Sequence, residues 1–190
     1  MASRFSAFID SVSDPRISLL RDRNVVKWIY GDLSFLPAQK KEDEDTWGRQ
    51  FTTKQQWSGH FGERLCKEVL MLRDENVRKP EKFGTFQLDL ETDTHMIEVK
   101  TQTYLTTGTA SEKIMGVPFK YADVSHMSGK GLRVVCIAGA EVFSKNIGLL
   151  KSPTQTLHKQ KYIEFFKEND VEFIGLTELL EALPPSNLVP

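Results

Sequence analysis

Asp89, Glu98 and Lys100 are the residues of this 190-residue chain whose types and spacing point to chemistry. They lie in the stretch from Phe86 to Lys100, where Leu88 and Leu90 on one side and Ile97 and Val99 on the other flank the polar centre Thr92-Asp93-Thr94-His95. Apolar residues alternating with polar ones about turn-formers predict a β-hairpin. On a strand, side chains two apart share a face, so Glu98 and Lys100 emerge together, and the opposed strand brings Asp89 towards them. Two carboxylates beside an ammonium make a poor core and a good seat for a divalent cation.

Elements before and after this hairpin must position it. Thr53 to Gln56 has the form of a capping box, after which Trp57, Phe61, Leu65, Val69 and Leu72 recur at helical spacing. Beyond Lys100 the strand is expected to continue through Tyr104. Ser111–Met115 and Phe119–Val124 read as helical, with Pro118 breaking or kinking the helix between them. His126 to Gly131 reads as a loop and Leu132–Ala138, an apolar run bounded by glycine, as a central strand. A helix over Leu157–Lys167, a strand over Val171–Ile174 and a short helix over Leu176–Leu183 follow. Upstream, apolar residues from Phe5 to Ile29 predict two short helices broken near Ser13–Pro15, and the charged stretch 37–50 reads as an exposed connector. Helices alternating with strands favour an α/β protein, a mixed sheet with helices on its faces.

The hairpin, with Asp89 and Glu98-Val99-Lys100, resembles the PD-(D/E)xK nucleases, the superfamily that includes type II restriction endonucleases. The resemblance spans roughly residues 53 to 138, with Leu88 standing where the family often has proline. It implies a restriction-endonuclease-like fold over one nuclease domain, residues 1–190, with 1–50 an N-terminal extension and 53–183 the catalytic core. Asp89 and Glu98 match the acidic metal ligands, Lys100 the catalytic lysine, and the Val99 carbonyl commonly completes the metal site. Relatives also carry a glutamate on the preceding helix. Glu63 matches it best and Glu68 is the alternative. The implied activity is Mg²⁺-dependent hydrolysis of phosphodiester bonds in double-stranded DNA by a sequence-specific endonuclease, with Mn²⁺ able to replace Mg²⁺. A structure-specific repair or recombination nuclease, or a non-catalytic DNA-binding protein that kept the fold, is the alternative.

In such a site a divalent cation offsets the charge of the transition state and helps generate hydroxide at neutral pH. Mg²⁺ suits it because that ion keeps several waters and takes few carboxylates. Lys100 would orient the nucleophile and offset phosphate charge. The polar segment after the catalytic strand is placed to meet DNA, with Gln102, Thr103, Lys113, Lys120 and Tyr121 as candidate contacts to phosphates or base edges. Cutting both strands of a duplex favours a two-fold homodimer, with the apolar segment 5–29 as candidate interface.

Composition is that of an ordinary globular protein, 39% hydrophobic and 27% charged. A net charge of −1 argues against binding DNA by bulk attraction, though not against a locally basic site. No apolar run reaches the ~18 residues of a membrane span, and the start is a poor signal peptide, so an intracellular, cytoplasmic protein without membrane attachment is expected. Cys66 and Cys136 read as buried hydrophobes in a reducing compartment. Rival sites fall away. Ser128–Gly131 lacks the P-loop pattern, the four histidines lack zinc spacing, and no G-x-S-x-G elbow is present.

Overall fold

The computed structural model describes residues 18–32, 54–101, 110–153 and 155–182, with 54–57 and 110 described in their backbone only. The expected break near Ser13–Pro15, the connector at 37–50 and the strand continuation over 102–104 lie outside the described residues.

The chain is α/β, a four-stranded mixed sheet with helices on both faces. Strand β1 (Leu90–Glu91) pairs antiparallel with β2 (His95–Thr101). β3 (Gly131–Ile137) and β4 (Val171–Gly175) then add in parallel, in the order β1-β2-β3-β4. β3 is central, as its apolar sequence required. Alternation along the strands separates two cores. Ile97, Val99, Val135 and Ile137 face α1 (Arg23–Ile29), α2 (Lys54–Leu72) and α7 (Leu176–Glu181). Met96, Leu132, Val134 and Cys136 face α3 (Ala110–Met115), α4 (Val117–Ser128), α5 (Gly139–Asn146) and α6 (Leu157–Glu168).

Gly116 separates α3 from α4, and Pro118 sits in the first turn of α4, where a missing N–H removes no helical bond. The helix does not stop at Val124 as expected, and part of the expected His126–Gly131 loop is helical. It runs to Ser128 and ends at Gly129, whose φ of 65° is the left-handed cap that glycine adopts without strain. Lys130, expected in a plain turn, is tied down: its Nζ donates to Glu91 Oε1 at 2.5 Å and to the Thr92 carbonyl at 2.7 Å, fastening the end of α4 to the hairpin. Helix α5 was not anticipated.

The apolar residues of segment 18–29 are not an interface. Leu19, Leu20, Val25, Val26, Trp28 and Ile29 are buried in the chain's own core, with the Trp28 ring 5.2 Å from that of Phe61 on α2. The dimer surface expected there is therefore corrected for this half of the segment; residues 5–17 lie outside the described ones. Both cysteines are free and buried, as expected.

Candidate functional site

The hairpin is short, and its shortness makes the site. The ladder pairs Leu90 with Ile97 and Glu91 with Met96, so Asp89 comes next, opposite Glu98. The Asp89 N–H still donates to the Ile97 carbonyl at 3.1 Å, and there the chain bends. Simple alternation places Leu88 and Leu90 on one face. The bend instead sends Leu90 into the α2 core and Leu88 into the α4 core. Beyond the bend there is no backbone carbonyl to receive the Val99 N–H, and the Asp89 carboxylate accepts it at 2.7 Å. N–H and C=O of one strand residue point to the same edge, so the Val99 carbonyl also faces the Asp89 side.

Glu98 and Lys100 share the opposite register, beside Val134 and Cys136 of β3 and under α4. Lys100 Nζ donates to Glu98 Oε1 at 2.6 Å. Glu98 is only 6% exposed, and its second oxygen, Oε2, has no hydrogen-bond partner. A buried acceptor left in this state is costly, more so when it is charged. The contrast with the other buried carboxylates is instructive. Glu141 accepts from the Thr177 N–H at 3.1 Å, from the Thr177 hydroxyl and from Lys145 Nζ at 2.6 Å. Glu68 accepts from the N–H groups of Ser18, Leu19 and Leu20 at 3.1 to 3.3 Å. Both hold the start of another segment. Glu68 is thereby committed to residues 18–20, and of the two candidate glutamates on α2 it is Glu63 that lies near the site.

Glu63 is positioned by an unusually close approach of α2 to β2. Thr101 donates its hydroxyl proton to the Ser58 carbonyl at 2.7 Å, and a Cβ on Gly62 would stand 1.9 Å from Thr101 Cγ2. Only glycine lets the helix come so near. Glu63 pairs with His60 Nδ1 at 3.5 Å on its own helix and lies within electrostatic range of Glu98 and Asp89. Its carboxyl pKa is raised, chiefly by burial, while His60 pulls it down and Glu98 pushes it up. Asp89 is pushed up to about 7, first by burial and then by the charge of Glu98, with Glu63 adding and the Val99 N–H and Lys100 opposing. Like charges held close together disfavour the ionised form, so each of these carboxylates raises the pKa of its neighbour. Among the described residues no three His, Cys, Asp or Glu side chains stand together in metal-holding geometry. The oxygen groups nearest this edge belong to Asp89, Glu98 and the Val99 carbonyl, with Glu63 within electrostatic range of both carboxylates.

Of the candidate DNA contacts, Gln102 and Thr103 lie outside the described residues. Lys113 is exposed on α3 and Lys120 on α4, the latter with its Nζ donating to the Tyr121 hydroxyl at 2.7 Å. Tyr121 is corrected. At 3% exposure it is not a surface reader, and its ring packs edge-on to Phe86 with centroids 5.9 Å apart. Its phenol pKa is raised, by burial first and then by Glu98, so its polar end belongs to the site. Helical phase in α4 held that signal, since Val117, Tyr121 and Val124 are the inward stripe.

Searches against protein-family models, curated proteins and solved structures find no match for this chain.

Proposed function

We propose that this chain is a Mg²⁺-dependent DNA endonuclease of the restriction type, hydrolysing phosphodiester bonds in double-stranded DNA on a restriction-endonuclease-like sheet. The observation that carries the reading is the orphaned Oε2 of Glu98, buried opposite Asp89 and beside Lys100. A buried carboxylate that serves only structure is bonded at both oxygens, as Glu68 is. A hard divalent cation would relieve both the orphaned oxygen and the mutual repulsion of the carboxylates. The all-oxygen donor set fits Mg²⁺.

Asp89, Glu98 and the Val99 carbonyl would hold the cation, with Glu63 supporting them. When bound, it offsets developing charge on the phosphate and makes hydroxide accessible at neutral pH. The Val99 N–H keeps Asp89 turned to the edge. Lys100, half-buried and bonded to Glu98, places a positive charge where a phosphate oxygen arrives and orients the attacking water. Lys113, exposed on α3, would bind phosphates of the same strand. A homodimer would present two such sites to antiparallel strands.

Plasmid cleavage with and without Mg²⁺ tests the reading. Wild-type protein should cut in Mg²⁺ or Mn²⁺, and Asp89→Ala, Glu98→Ala and Lys100→Ala should each lose on the order of 10²-fold in rate while remaining folded. Discrete bands indicate sequence specificity and a smear a general nuclease. Cutting that survives excess chelator, or the absence of any cutting, would refute the proposal.

A further inference from the structure

Lys79 stands beside the candidate site, and the nuclease reading leaves it without a role. Its neighbour Arg78 pairs antiparallel with Glu91, and the two exchange both backbone bonds. The direction of that pairing carries Lys79 towards Leu90 and Asp89. Side chains on an extended segment alternate. Arg78 turns outward to Glu91 and Asp93, while Val77 packs into the core beneath α2. Lys79, two residues after Val77, therefore shares the side of the sheet on which α2 carries Glu63, and its charge acts on the Glu63 carboxyl. The backbone that launches it is fixed on both sides, since the next residue, Pro80, is buried and its carbonyl accepts from Gln87 Nε2 at 3.1 Å. Its side chain is exposed and makes no ion pair or hydrogen bond with any described residue. Lys100, bonded to Glu98, lies on the opposite face under α4.

We propose that Lys79 is a nucleic-acid contact of this site, gripping a backbone phosphate on the α2 side while Lys100 meets the strand on the α4 side. This rests on the nuclease reading above and deepens it, by adding a binding residue outside the metal-ligand set. A strand crossing the sheet margin then passes between two positive charges, which sets where it lies over Asp89 and Glu98 and carries no sequence preference. An ammonium suits the task, being a compact, hydrated charge on a stem that can follow an oxygen. Neutralising a phosphate releases condensed counterions. Loss of the contact therefore leaves a mark that loss of a merely structural lysine does not, a flatter salt dependence of binding.

Fluorescence anisotropy with a labelled DNA duplex, in Ca²⁺ so that the duplex stays whole, tests this. In a salt series the slope of log affinity against log salt should be shallower by about 0.9 in Lys79→Gln than in wild type. From about 50 to about 200 mM salt, wild type should therefore lose about 3-fold more affinity than the variant. The change should be the same on duplexes of unrelated sequence, and thermal unfolding of the variant should match wild type. Lys79→Arg, which keeps the charge, should keep the wild-type slope. Lys161→Gln, on α6 against β4 at the opposite edge of the sheet, should keep it too. A wild-type slope in Lys79→Gln, in a protein that binds and cuts DNA, would overturn this inference and leave the nuclease reading standing. A slope lowered equally by Lys161→Gln would also overturn it, because bulk charge would then explain the effect. A slope lowered by Lys79→Gln alone, in a protein that never cuts, would uphold the phosphate contact and refute the nuclease reading. A wild-type protein that binds no duplex would overturn both.

Discussion

Replacing Asp89 by Asn should stabilise the protein at alkaline pH when no divalent cation is present. In the folded state the Asp89 carboxyl is raised from 3.8 to about 7 by burial and by Glu98. Between those two values the folded chain holds a proton that the unfolded chain has released, so stability falls as pH rises through the window. Above about pH 7 the folded state carries the full cost of an ionised Asp89. A shift of about 3 units corresponds to a ceiling of about 4 kcal/mol. Asp89 retains some access to water, and local relaxation around it reduces this to about 2 kcal/mol. Asn keeps the acceptor for the Val99 N–H and removes the charge. In a chain of this size the gain amounts to a rise in Tm of about 4 to 8 °C. Thermal denaturation in chelator at pH 8 should show that rise for Asp89→Asn, and at pH 5 most of it should vanish. Adding Mg²⁺ at pH 8 should then stabilise wild type and leave the variant unmoved. A variant no more stable than wild type at pH 8, or one more stable by the same margin at pH 5, would refute the electrostatic account of this site.

Other expectations follow from the packing. Gly62→Ala should destabilise by about 1 to 3 kcal/mol, since its methyl would overlap Thr101 Cγ2. Thr101→Ser deletes that methyl and keeps the hydroxyl, so the double variant should recover much of the loss in urea unfolding; simple additivity would show that the clash lies elsewhere. Glu68→Gln should cost about 1 to 3 kcal/mol by weakening the bonds to Leu19 and Leu20, with cleavage per folded molecule unchanged. A selective loss of cleavage would return Glu68 to the site. Ca²⁺ should support DNA binding with little turnover, because its looser, larger coordination misplaces the nucleophile; rapid cutting in Ca²⁺ alone would contradict that geometry.

What the sequence discloses is governed by distance along the chain. Asp89, Glu98 and Lys100 could be placed together because a hairpin and a two-residue period are local rules. The β3 run could be placed at the centre because apolar residues on both faces suit no other position. Glu68 could not be told from Glu63 in this way, since its partners lie 48 to 50 residues away and nothing local announces them. Tyr121 lies in a polar stretch that suggested contact with DNA, but the inward stripe of α4 buries it against β2 and β3. Helix α5 begins at Gly139, after Ala138 with a φ of 51°, and its acidic residue Glu141 is buried against Thr177. Neither feature resembles a helix start or a core position when read alone. The length of α4 was underestimated because the glycine that ends it stands five residues beyond Val124.

The two-residue β1 strand also bears on the company this protein keeps in a crowded cell. A sheet edge with a long row of open N–H and C=O groups invites another chain to add itself. Here the edge is brief, and Glu91 on it is bridged on the outer side by Arg78, through backbone bonds of 2.8 and 2.9 Å and an ion pair of 2.8 Å. Past Leu90 the next amide of β2, at Val99, is taken by a side chain. A foreign strand seeking to extend the sheet there would have to displace the Asp89 carboxylate. The interruption that seats the acidic cluster thus also guards this margin of the sheet against misassembly.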